Sequence, residues 1–387
     1  AVYAATAVVG APDRDVLLWT DAGRAYVFTR SGGSWSQAAD LTASDASGSD
    51  PFGAAVSVAI SRVLVGAPDD NHAAGTDAGS AYLFTGAGSS WTQEAKLTAG
   101  DAANGDRFGA AVSVSSLGGA VIGAPEDNLG TLGIDAGSAY FFKPVTGVWI
   151  EDQKIIDPDG SISDAFGSSV ALNGSYILIG APMDEVRTID NTGSVQLFFN
   201  DGDSWGHQDS LYGQWGFGLF TQRFGRDIAV DGDTMVVGVP DSEWRSVQVF
   251  VRDGDEWIFQ QELLSQMGWQ FNDSFGVAVA INGGSIVVGA PLGQISGFHV
   301  AGVAYVFVLT STISGPVWEL QQRLEPSDGA DGYRFGEDVA IDGDTVMVGS
   351  PGRSGGGGVY LWTRGGSVWS EDAILEPADL EAGDEFG

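Results

Sequence analysis

A sevenfold internal repeat constrains this chain more than any other feature of its 387 residues. Phe-Gly pairs begin at Phe52, Phe108, Phe166, Phe224, Phe275, Phe335 and Phe386. Gly-Ala-Pro-like triplets begin at Gly10, Gly66, Gly123, Gly180, Gly238, Gly289 and Gly349. One Trp per unit recurs at Trp35, Trp91, Trp149, Trp205, Trp257, Trp318 and Trp369. Because units of about 55 residues fill the chain, we expect residues 1–387 to form a single domain rather than the two or three that length alone suggests.

Each unit predicts four short β-strands and no helix. In the unit that begins at Phe52, Arg62 to Val65 is apolar and ends at a Gly-Ala-Pro stop, and Trp91 to Leu97 alternates in polarity. Two-residue turn signals join the first two strands at Asn173-Gly174, Asp231-Gly232, Asn282-Gly283 and Asp342-Gly343. A small four-stranded sheet cannot bury its faces alone, but a closed ring of sheets can. The sequence therefore predicts an all-β fold, a seven-bladed β-propeller of four-stranded antiparallel blades.

The Phe-Gly and Gly-Ala-Pro markers, in this order and at this spacing, resemble the FG-GAP repeat. Over residues 1–387 the chain is similar to the seven-bladed propeller of integrin α subunits and its bacterial and algal relatives. The resemblance implies an extracellular or cell-surface protein that binds protein or glycan partners. It would also imply calcium loops of the type Asp-x-Asp-x-Asp-Gly between the first two strands. Here that connection is a tight turn, and Asp231 and Asp233 supply two carboxylates where calcium takes about six to eight oxygens. We therefore do not expect calcium in these turns.

Both ends of the chain are expected to lie in one blade. Phe386-Gly387 has the sequence that begins a first strand, and Ala1 to Thr6 resembles the end of one. Only 11 positions separate Phe386 from Gly10 when the ends are joined, against 14 or 15 in the other units. We expect the parent chain to continue beyond one or both ends, with other domains or further copies in a larger surface assembly.

The charge balance excludes several classes of function. The chain has 17 Lys and Arg against 51 Asp and Glu, a formal net charge of −34. Such a surface disfavours nucleic acid and anionic membranes, since both need basic contacts. The absence of Cys excludes disulfides and thiolate metal sites, and no apolar run is long enough to span a membrane. With only three Lys, at Lys96, Lys143 and Lys154, the composition suits a marine or saline environment.

The two faces of the predicted ring differ. We call the loop face the side with the long links from strand two to strand three and from blade to blade, and the turn face the side with the hairpin turns. The loop face is acidic, and an Asp-x4-Asp pattern precedes several Phe-Gly pairs. Its members are Asp45, Asp50, Asp101, Asp106, Asp159, Asp164, Asp379 and Asp384. They predict either cation sites, with calcium as the candidate ion, or carboxylates that cap and shape each loop.

Two loops of the same face break this pattern with aromatic residues. The candidates for a protein or sugar contact are Tyr212, Trp215, Phe217, Phe220, Trp244, Trp269 and Phe271. The alternative is that these side chains fold inward and cover the end of the channel or a blade. Sequence alone leaves both arrangements open.

Catalysis is not expected. The chain has three His at unrelated repeat positions and no nucleophile, zinc or phosphate-binding motif. We expect an extracellular or cell-surface binding or structural interaction module of the adhesion type, with a protein or glycan partner on the acidic loop face. The alternatives are a glycan-binding, lectin-like propeller and, third, a polysaccharide lyase or hydrolase.

Overall fold

The computed structural model describes residues 1–130, 133–185, 191–214, 222–242, 245–265, 272–295, 297–313 and 315–387. These ranges contain 28 β-strands and no helix. The strands form seven antiparallel four-stranded sheets, each made of four strands consecutive in the chain. The seven sheets are the blades of a propeller, which confirms the predicted fold class. No helix that could cross a membrane occurs in the described part of the chain.

The first three blades contain strands β1 to β12. Blade 1 consists of β1 (Val2–Tyr3), β2 (Thr6–Ala11), β3 (Arg24–Ser31) and β4 (Ser34–Leu41). Blade 2 consists of β5 (Ala55–Ala59), β6 (Arg62–Ala67), β7 (Ser80–Ala87) and β8 (Ser90–Leu97). Blade 3 consists of β9 (Ala111–Val114), β10 (Ala120–Ala124), β11 (Ser138–Val145) and β12 (Val148–Ile155).

The other four blades contain strands β13 to β28. Blade 4 consists of β13 (Ser169–Asn173), β14 (Tyr176–Ala181), β15 (Ser194–Asn200) and β16 (Trp205–Tyr212). Blade 5 consists of β17 (Ile228–Asp231), β18 (Thr234–Val239), β19 (Ser246–Asp253) and β20 (Glu256–Leu264). Blade 6 consists of β21 (Val279–Asn282), β22 (Ser285–Ala290), β23 (Val303–Thr312) and β24 (Gly315–Leu324). Blade 7 consists of β25 (Val339–Asp342), β26 (Thr345–Gly349), β27 (Val359–Gly365) and β28 (Val368–Leu375).

The two repeated glycine motifs meet where neighbouring blades touch. A Cβ atom on Gly10, in the triplet of blade 1, would lie 1.9 Å from the carbonyl oxygen of Gly53 in the Phe-Gly pair of blade 2. Gly53 itself has φ of +104°, a conformation that side chains disfavour. Glycine is therefore required on both sides of this contact, which explains why the two motifs recur together.

The repeated Phe packs on aromatic side chains of the third strand, near the loop face. Phe52 is fully buried, and its ring meets Tyr82 and Phe84 of β7 edge to face, with centroids 5.4 and 6.0 Å apart. Phe108 packs in the same way on Tyr140 at 5.4 Å. Aromatic rings prefer this edge-to-face geometry, so one Phe per unit fixes the first strand against the third.

The four hairpins marked by Asn-Gly or Asp-Gly have two-residue turns, but each turn lies one residue later than the sequence pair predicts. Asn173 pairs with Tyr176 across the turn, and Asp231 pairs with Thr234. The Asn or Asp is therefore the last strand residue rather than a turn residue, and the following Gly takes positive φ. In blade 4 the side chain reaches the next blade, because Asn173 Nδ2 donates to Gly232 O at 2.9 Å.

The outer strands of neighbouring blades are joined by a Gln and the repeated Trp. Gln322 Nε2 donates to Trp369 O at 2.7 Å, and Trp369 N donates back to Gln322 Oε1 at 2.8 Å. Gln153 and Trp205 form the same pair of hydrogen bonds. Five of the seven repeated Trp side chains are buried between blades, and Trp35 and Trp91 are half-buried.

Blade 1 contains both chain ends. Phe386 is buried against Tyr26 and Phe28, with ring centroids 5.6 and 6.1 Å apart. Gly387 N donates to Gly10 O at 3.1 Å, the same hydrogen bond that Gly53 makes to Gly66 in blade 2. The C-terminal residues thus occupy the Phe-Gly position of the blade that the N-terminal residues complete.

Candidate functional site

The sequence-predicted aromatic contact residues lie mostly outside the described residues. Those outside are Trp215, Phe217, Phe220, Trp244, Trp269 and Phe271. Tyr212 is described, at the loop-face end of β16, and its side chain is exposed. Partial burial raises the pKa of Tyr212. The aromatic contact patch therefore stays a prediction, with one of its seven members placed on the loop face.

The first Asp of each Asp-x4-Asp pair lies beside the third strand of the following blade. Tyr82 OH donates to Asp45 Oδ1 at 3.0 Å, and Tyr140 OH donates to Asp101 Oδ1 at 2.8 Å. Tyr26 OH donates to Asp379 Oδ1 at 3.3 Å across the last junction. Asp159 differs, since it is exposed and faces a blade that has Gln196 in place of the Tyr.

The second Asp of each pair is buried and shapes its own loop. Asp106 Oδ2 accepts Ala103 N at 2.6 Å, and Asp384 Oδ2 accepts Glu381 N at 2.7 Å. Asp164 Oδ2 accepts Ser161 N at 2.5 Å. Asp50 is also buried, and its Oδ1 accepts Asn71 Nδ2 at 3.5 Å. Burial raises the pKa of Asp50, and the charge of Asp70 raises it further.

Two lysines form ion pairs with Asp residues on the loop face of blades 2 and 3. Lys96 Nζ lies 2.7 Å from Asp45 Oδ2 and 2.6 Å from the buried Asp70 Oδ2. Burial alone would raise the pKa of Asp45, but the hydrogen bond and charge of Lys96 lower it. Lys154 holds Asp101 and Asp127 in the same way, with both Nζ–Oδ2 distances 2.6 Å. Sequence reasoning missed these bridges, although two of the three Lys share one repeat position.

The described residues contain no group of three or more His, Asp or Glu side chains that could hold a metal ion. At blades 2 and 3 a lysine ammonium lies where a cation would face the predicted Asp residues. The geometry gives these carboxylates loop-capping and ion-pairing roles. Calcium binding by the Asp-x4-Asp residues stays a prediction.

Blade 1 has a cation in the loop where blade 2 has Asp70. Arg14 occupies that loop position, and Asp40, which occupies the strand position of Lys96, pairs with Arg24 at 3.4 Å. The buried Arg14 guanidinium lies 3.0 Å from Glu381 and 3.4 Å from the buried Asp384. Either sign of charge can therefore close the junction, provided that the partner carries the other.

The junction where blade 4 begins is acidic in the described part of the chain. Asp184 occupies the position of Asp70, but Ser210 replaces Lys96. Burial, together with the charge of Asp164, raises the pKa of Asp157 and that of Asp184 to about 6. Within the described residues, neither Asp157 nor Asp184 forms an ion pair with Lys or Arg.

The link from strand two to strand three has one backbone frame in blades 1 and 2. Asp15 Oδ1 accepts Asp21 N at 3.1 Å, and Asn71 Oδ1 accepts Asp77 N at 3.1 Å. In the middle of each link a two-residue turn is closed by a pair of backbone hydrogen bonds. These join Val16 with Trp19 in blade 1 and His72 with Gly75 in blade 2. The turn of blade 1 carries Leu17 and Leu18, which are 92% and 94% exposed.

A cavity of about 460 Å³ lies on the propeller axis and is lined by the first two strands of the blades. Most of its wall is small and apolar, for example at Ala55 and Ala111. The charged lining residues are Arg226, Asp227, Glu337, Asp338 and Glu385. Burial raises the pKa of Asp227 to about 6, and its carboxylate accepts the backbone amides of Ile228 and Val279.

Two of the three histidines are held in local contacts. His72 Nε2 contacts Gly79 O at 3.1 Å, and its Nδ1 accepts Ala74 N at 3.3 Å. His207 Nε2 contacts both Gln196 Oε1 at 2.9 Å and Ser210 Oγ at 3.2 Å. The Ser210 hydroxyl donates to Gln196 Oε1 at 2.6 Å. This arrangement differs from a catalytic triad, in which the second ring nitrogen of the base is held by a carboxylate.

Comparison with known proteins agrees with the repeat pattern. The sequence model described as the FG-GAP repeat matches residues 35–84, 91–142, 149–198, 257–307 and 318–362, more than half of the chain. No curated protein gives a significant match.

Three solved structures are similar over nearly the full length. A protein from Lactobacillus plantarum aligns with a TM-score of 0.60 and 12% identity, over 98% of this chain and 97% of that one. A functionally unknown protein from Desulfotomaculum acetoxidans has a TM-score of 0.56 and 13% identity, over 94% and 95%. The Pseudomonas aeruginosa periplasmic gluconolactonase PpgL has a TM-score of 0.57 and 14% identity, over 94% and 93%. At these identities the likeness concerns the fold alone.

Proposed function

Because the chain belongs to the FG-GAP repeat family, we propose that it acts as an extracellular or cell-surface binding module whose loop face docks a protein partner. The observation that carries this proposal is the contrast between the two faces. Most connections on the turn face are two-residue hairpin turns, whereas the loop face displays long links between strands two and three. Rigid loops on a stable scaffold are the usual place for binding residues.

Part of the loop face is held in place by its own contacts. In blades 1 to 3, buried ion pairs such as Lys96–Asp70 hold the start of the link from strand two to strand three, and in blades 1 and 2 paired backbone hydrogen bonds hold its turn. A surface that is already ordered loses less conformational entropy on binding. The acidic excess would speed the approach of a basic partner and repel acidic ones. These features favour adhesion-type docking to proteins.

A glycan-binding propeller and a polysaccharide-degrading enzyme are the competing functions. Both would need residues that contact a sugar ring, and the aromatic candidates for that contact lie mainly outside the described residues. The axial cavity is lined by small apolar and charged groups, with no aromatic side chain among its lining residues in the described part of the chain. Protein docking is therefore the function that the described geometry supports best.

The test is a binding survey with the purified chain. Extracellular proteins of graded net charge and a glycan array are immobilised, and binding is measured at about 50 mM and about 500 mM salt, where screening differs strongly. We expect saturable binding to basic proteins that weakens at high salt. Binding to glycans alone would favour the lectin-like alternative, and release of reducing or unsaturated sugars would favour the enzyme.

A further inference from the structure

The strand-two to strand-three links of blades 1 and 2 are matched residue for residue. Residues 10–23 and 66–79 both run from the Gly of the triplet to the Gly that precedes strand three, 14 residues in each case. Their shared hydrogen-bond frame has been described above. Leu17, Leu18 and Trp19 in blade 1 stand where blade 2 has Ala73, Ala74 and Gly75. We call residues 16–19 the Leu17 turn.

The Leu17 turn exposes apolar surface that the fold does not use. Leu17 and Leu18 are 92% and 94% exposed, and half of Trp19 is exposed. Leu17 also has φ of +57°, in the left-handed region that a Leu side chain disfavours. In blade 2 a turn closed by the same pair of backbone hydrogen bonds is made by two Ala residues, and its backbone differs in that neither Ala has positive φ. The large side chains are therefore not required to form the turn, and strained, exposed positions are typical of functional sites.

The link is held rigidly behind these side chains. Val16 is buried, and Val16 and Trp19 exchange two backbone hydrogen bonds of 2.9 Å. Arg14 is buried against Asp384 and Glu381 of the preceding link. Leu17 and Leu18 thus project from a fixed base, the arrangement by which a few apolar anchors contribute most of a binding energy.

The surroundings of the Leu17 turn are acidic. Asp15 and Asp21 flank it and are exposed, and Asp13 is half-buried nearby. Burial and then the charges of Glu385 and Asp21 raise the pKa of Asp13, which reflects the crowding of carboxylates there. A second copy of this chain, with its net charge of −34, would be repelled, and so would an anionic membrane. Charge complementarity favours a basic protein surface.

We propose that the Leu17 turn is the anchor of the loop face, inserting Leu17 and Leu18 into an apolar pocket rimmed by Lys or Arg on a protein partner. The inference rests on the proposed docking function and adds to it the contact residues and the partner chemistry. The apolar side chains supply burial, and Asp15 and Asp21 pair with the basic rim. The link of blade 2, with the same frame and an Ala-Ala turn, provides an internal reference.

The test uses immobilised peptides as probes. One alternates Lys and Leu, a second alternates Lys and Ser, and a third alternates Glu and Leu. The whole chain should bind the Lys/Leu peptide more tightly than the other two. The L17A/L18A variant, which copies the turn of blade 2, should lose at least about tenfold in affinity for it, as expected when central anchors are truncated. The D15N/D21N variant should bind several-fold more weakly and with less dependence on salt.

A matched control comes from the turn face. Val145 and Val148 flank a two-residue turn there and are also exposed, so V145A/V148A removes exposed apolar side chains from the opposite face and should leave the affinity unchanged. L18S keeps Leu17 in place and provides a second test should the double variant fold poorly. Thermal unfolding checks the fold of every variant.

Each contrary result has its own meaning. If the wild-type chain binds the Lys/Leu peptide but L17A/L18A binds it equally well, the anchor is wrong while loop-face docking survives. If the wild-type chain binds no basic probe, the docking function itself fails. Leu17-dependent binding to phosphatidylcholine vesicles, or a dimer that L17A/L18A abolishes, would replace the protein partner with a membrane or a second copy and overturn the inference.

Discussion

The links of blades 1 and 2 have the same length and backbone frame but differ in charge and in their exposed turn. Near the start of its link, at a position that we call the base of the link, blade 2 has Asp70, which pairs with Lys96. Blade 1 has Arg14 at the same position, paired with Asp384 and Glu381. In the turn of the link, blade 2 has Ala73-Ala74 and blade 1 has Leu17-Leu18. Either sign of charge is found at this position because each of the two buried charges has partners of opposite sign. The exposed turn has no structural requirement and is therefore the place where function can vary.

Removing the cation from the base of the link should produce the largest effect. K96M leaves Asp70 and Asp45 facing one another without a counter-charge, and Asp70 is buried. We expect a loss of about 2–3 kcal/mol in the free energy of unfolding, since a buried charge left unpaired is costly. Denaturant unfolding measures it.

Lys143 offers the matched control for that substitution. It pairs with Asp152 at 2.7 Å, but the pair is exposed on an outer hairpin. K143M should cost less than about 1 kcal/mol, as surface ion pairs do. Equal losses for K96M and K143M would show that the junction does not depend on its cation.

Exchanging the charges of Asp70 and Lys96 tests whether the link of blade 2 can be held by a cation in the loop, as the link of blade 1 is. K96D alone adds a carboxylate to Asp45 and Asp70 and should be strongly destabilising. D70R/K96D removes one carboxylate of this cluster and supplies an Arg to pair with Asp45 and Asp50, as Arg14 pairs with Asp379 and Asp384 in blade 1. The double variant should therefore regain about 1–2 kcal/mol relative to K96D, within the usual range of pairwise coupling. If the double-mutant cycle of D70R and K96D shows no favourable coupling, the two links are not equivalent in this respect.

In blade 4 the base of the link differs from both. Asp184 stands at the position of Asp70 and has no Lys or Arg partner among the described residues. The pKa of Asp184 is raised to about 6, well above its ordinary value. A raised folded-state pKa means that the native state holds the proton more tightly, so this group contributes most stability below about pH 4 and loses that contribution as the pH rises to about 6. D184N should therefore stabilise the chain at pH 7 by about 1 kcal/mol after allowance for solvent screening.

Calorimetry of D184N across pH 4 to 8 checks this sign. The wild-type chain should lose stability relative to the variant between about pH 4 and pH 6, with a constant difference above that. A variant less stable than wild type at pH 7 would mean that the carboxylate is paired with a cation when ionised.

The smallest effect on stability is expected at the Leu17 turn. L17A/L18A should change the free energy of unfolding by less than about 0.5 kcal/mol, because both side chains are exposed. V16A, one residue earlier and buried, should cost about 1 kcal/mol or more. A large loss for L17A/L18A would show that the two Leu residues serve the fold.

The repeat markers predicted the fold because each encodes a local requirement. Phe-Gly and Gly-Ala-Pro mark positions such as Gly10 and Gly53, where only glycine fits, so their count gives the number of blades. The bridges of Lys96 and Arg14 were not predicted, since they join side chains that are distant in sequence and meet only when the ring closes. The repeat position shared by Lys96 and Lys154 was the available signal.

The Leu17 turn was missed for a different reason. Sequence reasoning looked for aromatic residues in loops that break the acidic pattern, and it selected the links around Trp215 and Trp269. Blade 1 keeps the acidic pattern, and its Leu17-Leu18-Trp19 segment is unusual only when aligned with Ala73-Ala74-Gly75 of blade 2. Whether those side chains would be buried or exposed depends on the turn geometry, which the sequence alone does not specify.

Photo-crosslinking from the two matched turns tests the central claim most directly. A benzophenone side chain is placed at position 18 in one variant and at position 74 in another, and each is irradiated with the Lys/Leu peptide. The two positions share one loop frame on the same face, so they differ mainly in whether the crosslinking side chain lies in the Leu17 turn or in the matching turn of blade 2. We predict crosslinks from position 18 that exceed those from position 74 at least about tenfold, in line with a localised anchor. Equal crosslinking, or more from position 74, would contradict the assignment of the Leu17 turn as the docking anchor.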